Sequence, residues 1–277
     1  MMPPSRPPLR YYGGKWRIAP WIIGHFPEHI CYVEPYGGGG SVLWQKAPSA
    51  IEVYNDLDGA VVNFFRVLRE RPEELLRAIQ LTPYSREEFQ LAYEPTEDDV
   101  ERARRLYVLS RQGRGSCRKQ HATGWRFEKV LSRGQGLPGE WSQVDHIEAT
   151  VARLKQVMIE RDDALAVIER FDVPDALFYV DPPYVHSTRG PSSLWEYQHE
   201  MSDDDHRRLA EVLHELKGMA IVSGYPSELY AEIFADWRMV QRETTTDRGL
   251  AATECLWLSP AVDERSQSLR LPIGGVR

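Results

Sequence analysis

At 277 residues, 42% hydrophobic and 27% charged, the chain is long enough for one α/β body with an inserted or appended segment, and its composition excludes wholesale disorder. The longest apolar runs, such as Ala176-Leu177-Phe178-Tyr179-Val180, fall far short of the roughly 20 residues that cross a bilayer, and the Pro-rich start from Met1 to Pro8 lacks a secretory apolar stretch, so the cytoplasm is the expected compartment. The formal net charge of −7 conceals two basic segments: residues 1–17 carry Arg6, Arg10, Lys15 and Arg17 with no acid, and residues 102–133 hold ten basic residues against the single acid Glu128. Read alone, such a run is as often a solvated face as a nucleic-acid footprint. Cys31, Cys117 and Cys255 are widely spaced and read as free thiols.

In chain order, the first feature is Leu9-Arg10-Tyr11-Tyr12-Gly13-Gly14-Lys15, an aromatic pair, a flexible joint and a cation ahead of a helix-like run from Ile18. Lys15 is placed to meet a carboxylate, although a lone lysine is ordinarily surface charge. A strand over 31–33 runs into Glu34-Pro35-Tyr36-Gly37-Gly38-Gly39-Gly40-Ser41, with a helix expected from Val42. A glycine-rich turn between strand and helix lets a ligand approach the backbone at a helix N-terminus. The glycine block does not fit the dinucleotide fingerprint, so a nicotinamide-dependent oxidoreductase is a weak reading. A second strand over 51–54 ends near Asp56, where an acid can accept hydrogen bonds from ribose hydroxyls or simply close a turn.

Helical periodicity follows over 60–68, 72–79 and 98–109. Residues 111–141 contain six glycines and Pro138, and read as a loop-rich excursion in which Trp125, Phe127 and Trp141 alternate with arginines. A helix is expected over 144–157, and Asp162-Asp163 precedes the apolar pattern Leu165, Val167, Ile168, where a capping role is at least as natural as a ligand contact. The buried-strand pattern at 177–180 leads directly into Asp181-Pro182-Pro183-Tyr184. The prolines remove two amide donors and leave the Asp181 side chain and the Pro182 carbonyl as acceptors. Such a pair suits an exocyclic amino group, with Tyr184 stacking on its ring, although the four residues could also be only a tight turn. Beyond it come a helix over 203–216 with Asp203 as its N-cap, strands over 219–222, 239–241 and 254–258, and a loosely attached tail from Asp263. The alternation of strands and helices specifies an α/β doubly wound sheet.

At these residues the chain resembles the Dam-type, D12-class DNA adenine methyltransferases. The resemblance runs in order through Tyr11-Tyr12-Gly13-Gly14-Lys15, Glu34 to Ser41, Asn55-Asp56 and Asp181 to Tyr184, ending at Thr253-Glu254-Cys255-Leu256-Trp257-Leu258. It implies a Rossmann-like core that binds S-adenosyl-L-methionine near Tyr11, Lys15, Glu34, Pro35, Gly37, Gly39, Asp56, Asp163 and Asp181, with no metal. It implies adenine held by Asp181, Pro182, Pro183 and Tyr184. It also implies a target-recognition region between the two motif sets, where Arg111, Arg114, Arg118, Lys119 and Arg126 are the candidate contacts to double-stranded DNA. The stretch from Ser110 to Arg118 departs from the Asn-Arg-Tyr-Gly pattern of members that read GATC, so no recognition sequence is implied.

The expected division is 1–70 and 143–260 for the core, 71–142 for recognition and 261–277 for a tail, with no obligate protein partner evident. Two rivals remain at this stage. Methylation of the cytosine amino group uses the same geometry, and a DNA-binding protein that has lost catalysis would keep the fold.

Overall fold

The structure, a computed structural model, describes residues 4–114, 124–130, 136–189, 199–245 and 251–268. The elements in chain order are α1 (Ala19–Ile23), β1 (Cys31–Glu34), β2 (Ile51–Asn55), α2 (Gly59–Glu70), α3 (Pro72–Leu81), α4 (Arg86–Leu91), α5 (Asp99–Gln112), α6 (Gly136–Ser142), α7 (Asp145–Leu154), β3 (Met158–Glu160) and α8 (Ala164–Phe171). They continue with β4 (Ala176–Val180), α9 (Asp203–His214), β5 (Met219–Gly224), α10 (Glu228–Ile233), β6 (Arg238–Thr245), β7 (Ala251–Leu258) and α11 (Pro260–Ser268).

The strands form one sheet in the order β3-β2-β1-β4-β5-β7-β6, with β1 to β5 parallel and β7 antiparallel to both of its neighbours. Side chains alternate across it as the pleat requires. On one face Tyr32, Tyr54, Leu177, Tyr179, Ile221 and Leu256 pack with α2, α5 and α7, and on the other Val33, Val53, Phe178, Val180, Val222 and Trp257 pack with α8, α9 and α10. Burial on both faces explains why β4 is a continuous apolar run. The order of connection reverses at β1, which pairs with β2 on one side and β4 on the other. Crevices at such a reversal, beyond the carboxyl ends of the strands, are where open α/β sheets bind ligands.

Several elements differ from the sequence expectation. No helix forms from Val42: Gly40 sits at φ +64°, Gln45 bonds back to Val42 three residues earlier, and Pro48 follows, so Val42, Leu43 and Trp44 are buried within successive turns. The helix expected over 144–157 stops at Leu154, because Met158–Glu160 leaves it to pair with β2 as a short, partly exposed edge strand. Residues 136–142 are helical despite their glycines and Pro138. Trp141 enters the core against Tyr107, and its indole donates to the Thr82 carbonyl at 2.7 Å, so burial overrides poor helix propensity. Ser202, not Asp203, caps α9, completing a reciprocal capping box with Asp205. The stretch 263–268 is docked rather than loose: α11 buries Val262, Asp263 pairs with Arg238, and Arg265 reaches Asp175 at 2.7 Å. Residues 269–277 lie outside the described residues.

Candidate functional site

The sheet reversal sets two loops side by side. After β1, Asp56 from the end of β2 accepts the Gly38 amide at 2.7 Å through one oxygen and the Asp58 amide at 2.7 Å through the other, while the Tyr54 hydroxyl donates to the Gly38 carbonyl at 2.6 Å. Gly38 adopts φ +49°, and a Cβ on Gly37 would come within 2.2 Å of the Tyr54 ring, so this turn requires glycine. Tyr11 packs against Gly38 and Gly39 from the other side. Asn55 ties the turn to the loop after β3, donating to the Pro35 carbonyl and accepting from the Asp162 amide. Asp163 caps α8 by accepting from Leu165 and Ala166, so the capping role read from sequence is present.

After β4, Asp181 is clamped at both oxygens. Lys15 donates to one at 2.9 Å, and the Ser223 hydroxyl from β5 donates to the other at 2.7 Å, with the Tyr179 hydroxyl 3.1 Å from Ser223. Lys15 thus meets the carboxylate expected of it. Its ammonium also donates to the Gly13 carbonyl, lies 4.7 Å from the centre of the Tyr184 ring and stands 4.0 Å from Glu254. Burial alone would lower the Lys15 ammonium, but Asp181 and Glu254 outweigh it and hold it above its usual range. Tyr184 donates its hydroxyl to Glu254 and meets Tyr225 edge-on at 4.7 Å. Neither Ser223 nor Glu254 was assigned a role from sequence.

Between the loops lies a cavity of about 270 Å³. Tyr11, Lys15, Glu34, Pro35, Gly37, Gly39, Asp56, Asp163, Asp181 and Pro183 all line it, so the candidate cofactor residues share one space with Asp181 and Pro183 of the second motif. Pro182 and Tyr184 are buried and do not line it. Its ionisable lining is mostly acidic: Glu34, Asp56, Asp58, Asp162, Asp163, Asp181, Glu200 and Asp205 face it, against Lys15 and Arg208. Burial pushes the Asp56 carboxyl up to about 6 and the Glu34 carboxyl, which accepts the Tyr32 hydroxyl at 2.7 Å, up to about 8. A pocket of this character suits a cationic ligand with hydroxyl donors.

The basic segment divides. Arg102, Arg104 and Arg105 are paired with Asp99, Glu101 and Glu88, acids lying before the counted window, so the sequence count overstated the positive footprint. The Arg111 guanidinium turns inward to the Pro7 carbonyl and a ring nitrogen of His146 at 3.0 Å, and burial lowers it to about 10. Arg114 remains exposed, stacked 4.9 Å from the Phe127 ring centre, and Arg86 lies over Trp125 at 4.8 Å. Backbone bonds from Arg114 to Gly124 and from Arg126 to Gln112 join the two flanks of the intervening segment. Arg118 and Lys119 lie outside the described residues.

The model of D12 class N6 adenine-specific DNA methyltransferases matches residues 11–247. The chain belongs to this family. The match spans both cavity loops of the methyltransferase and the helices between them. The type II methyltransferase M1.LlaDCHI of Lactococcus lactis subsp. cremoris is 27% identical over 261 residues, covering 88% of this chain and 89% of its own length. A DNA adenine methylase of Serratia marcescens is 24% identical over 248 residues, covering 85% and 88%. A DNA N-6-adenine-methyltransferase of Escherichia phage P1 is 24% identical over 214 residues, covering 74% of this chain and 27% of its own. The oxidoreductase and silent-binder readings fall away: this is an enzyme that methylates adenine in DNA.

Proposed function

We propose that this adenine methyltransferase binds S-adenosyl-L-methionine in the acidic cavity and methylates the 6-amino group of an adenine turned out of duplex DNA, with Asp181 and the Pro182 carbonyl accepting the amino hydrogens. The observation that carries the reading is the double clamp on Asp181, which fixes a carboxylate at the rim of the cavity, at the sheet reversal. The sheet order supports a Rossmann-like core, since the cavity occupies the crevice where such sheets bind ligands.

The residues present fit the methyl donor. Asp56 offers carboxylate oxygens where ribose hydroxyls need acceptors, Tyr11 and the side-chain-free glycine turn admit a flat adenosyl group, and the acidic lining favours a cation. When bound, the donor supplies an electrophilic methyl group on a sulfonium. The protein's own part is positioning. Asp181 and Pro182 orient the amino group, Lys15 and Ser223 hold the Asp181 carboxylate in one rotamer, and Tyr184 lies behind it to meet the extruded base. After transfer the extra proton of the methylated nitrogen passes to the Asp181 carboxylate or to water, and because that nitrogen is by then acidic, Asp181 need not be a strong base.

In this reading 1–70 and 143–260 form the catalytic body, and 71–142 forms the recognition region. Arg114 and Arg126, with Arg118 and Lys119 between them in sequence, meet DNA. Arg111, folded inward, braces the N-terminal segment. Asp181→Ala is expected to abolish methyl transfer while leaving S-adenosyl-L-methionine binding measurable by calorimetry. Undiminished methylation by that variant would refute the assignment.

A further inference from the structure

The position of Glu254 is unusual for an acid. It lies in the middle of β7, 4% exposed, on a strand whose following four residues, Cys255 to Leu258, are all buried and apolar. A carboxylate in such a setting is costly unless it is paired and hydrogen-bonded. Its partners are two groups of the catalytic site: it accepts the Tyr184 hydroxyl and stands 4.0 Å from the Lys15 ammonium, which is bonded to Asp181. No cavity-lining role accounts for it, because Glu254 does not face the cavity.

We propose that Glu254 is a positioning residue for adenine methylation, holding Tyr184 by its hydroxyl and giving Lys15 a second counter-charge so that Lys15 stays clamped on Asp181. The inference rests on Asp181 and Tyr184 being the adenine-binding groups. Lys15 is thereby held between two carboxylates and over one aromatic ring, Asp181 and Tyr184 from the segment after β4 and Glu254 from β7. Removing the charge at Glu254 leaves one carboxylate to hold a buried ammonium, and the Asp181 rotamer loosens with it. Because productive geometry tolerates little displacement, a shift of about 1 Å at Asp181 is enough to slow transfer by roughly a hundredfold.

The groups facing Glu254 are Lys15 from the N-terminal turn, Asp181 and Tyr184 after β4, Tyr179 on β4, and Tyr225 after β5, which acts on Lys15. Across β6, Arg242 stands opposite in register and is exposed, and Glu243 follows it. Burial pushes the Glu254 carboxyl up to about 7, Lys15 and the Tyr184 hydroxyl draw it down, and Asp181 pushes it up. Glu254 therefore carries its charge above about pH 7 and loses it below.

The test is the pH dependence of kcat for methyl transfer to duplex DNA by wild type, Glu254→Gln and Glu254→Asp. Glutamine keeps the size and the acceptor for Tyr184 but removes the charge. The wild type is expected to show kcat rising through a limb near pH 7. Glu254→Gln is expected to lose that limb and to fall roughly ten- to hundredfold in kcat, with the KM for the methyl donor little changed, whereas Glu254→Asp keeps a limb. Wild-type kcat in Glu254→Gln overturns the proposal, as does a reduced kcat with the limb intact, which would make the role purely structural. A wild-type profile without a limb near neutrality overturns it whether or not any variant folds. Failure here leaves Asp181→Ala inactive, whereas an active Asp181→Ala would remove the underlying reading instead.

Discussion

The loops at the sheet reversal and the basic segment of the helical region are both rich in charge, yet they use it in opposite ways. At the sheet reversal, Lys15 and Glu254 are drawn out of water and coupled with the partly buried Asp181 across three stretches of chain distant in sequence. In the helical region Arg102, Arg104 and Arg105 satisfy acids on α4 and α5, and the aromatic stack of Arg86, Trp125, Phe127 and Arg114 is left at the surface. Buried charges are held in place by one another and so can position chemistry, while surface charges are held weakly and adapt to a partner.

This contrast can be broken at either end. The largest effect is expected from Lys15→Met, which strands the buried Glu254 and the partly buried Asp181: a loss of roughly 3–5 kcal/mol in stability, read from urea unfolding, together with loss of methyl transfer. An unchanged midpoint would mean that the acids do not depend on Lys15. Next is Gly37→Ala, whose Cβ would lie 2.2 Å from the fully buried Tyr54 ring. Overpacking of this kind costs about 1–3 kcal/mol, and because the turn lines the cavity, calorimetry should show weaker binding of the methyl donor. The smallest effects lie in the helical region. Arg114→Ala should reduce the salt slope of DNA binding by about 1 without altering the melting temperature, whereas Arg102→Ala, whose partner is Asp99, should leave the slope unchanged. Equal slopes for the two variants would erase the distinction between paired and available arginines.

The same contrast explains what could be read from sequence. Asp181, Asp56 and the glycine turn were legible because each follows an apolar run and is bounded by prolines, glycines or turn residues, a local signal of a strand delivering a group to the sheet edge. Lys15 could be named, but its carboxylate lies 166 residues away and only the fold joins them. Ser223 carried no local mark, being a polar residue inside a buried strand, and Glu254 stood in the last resembling stretch with no role read for it; the parallel pairing of β4 with β5 brings Ser223 to Asp181, and the antiparallel pairing of β5 with β7 brings Glu254 beside the site. In the basic segment the count stopped at Arg102 and missed Asp99 and Glu101, one helical turn earlier, which neutralise what was counted. Trp141, grouped with the interface aromatics because of its arginine neighbours, belongs to the core, since its helix packs on α5 and the indole bonds to Thr82.

The most direct measurement is nucleoside mass spectrometry of unmethylated duplex DNA after incubation with the purified enzyme and S-adenosyl-L-methionine. The account predicts N6-methyladenine as the modified base. N4-methylcytosine in its place, or unmodified DNA from an enzyme that binds the methyl donor, would contradict it.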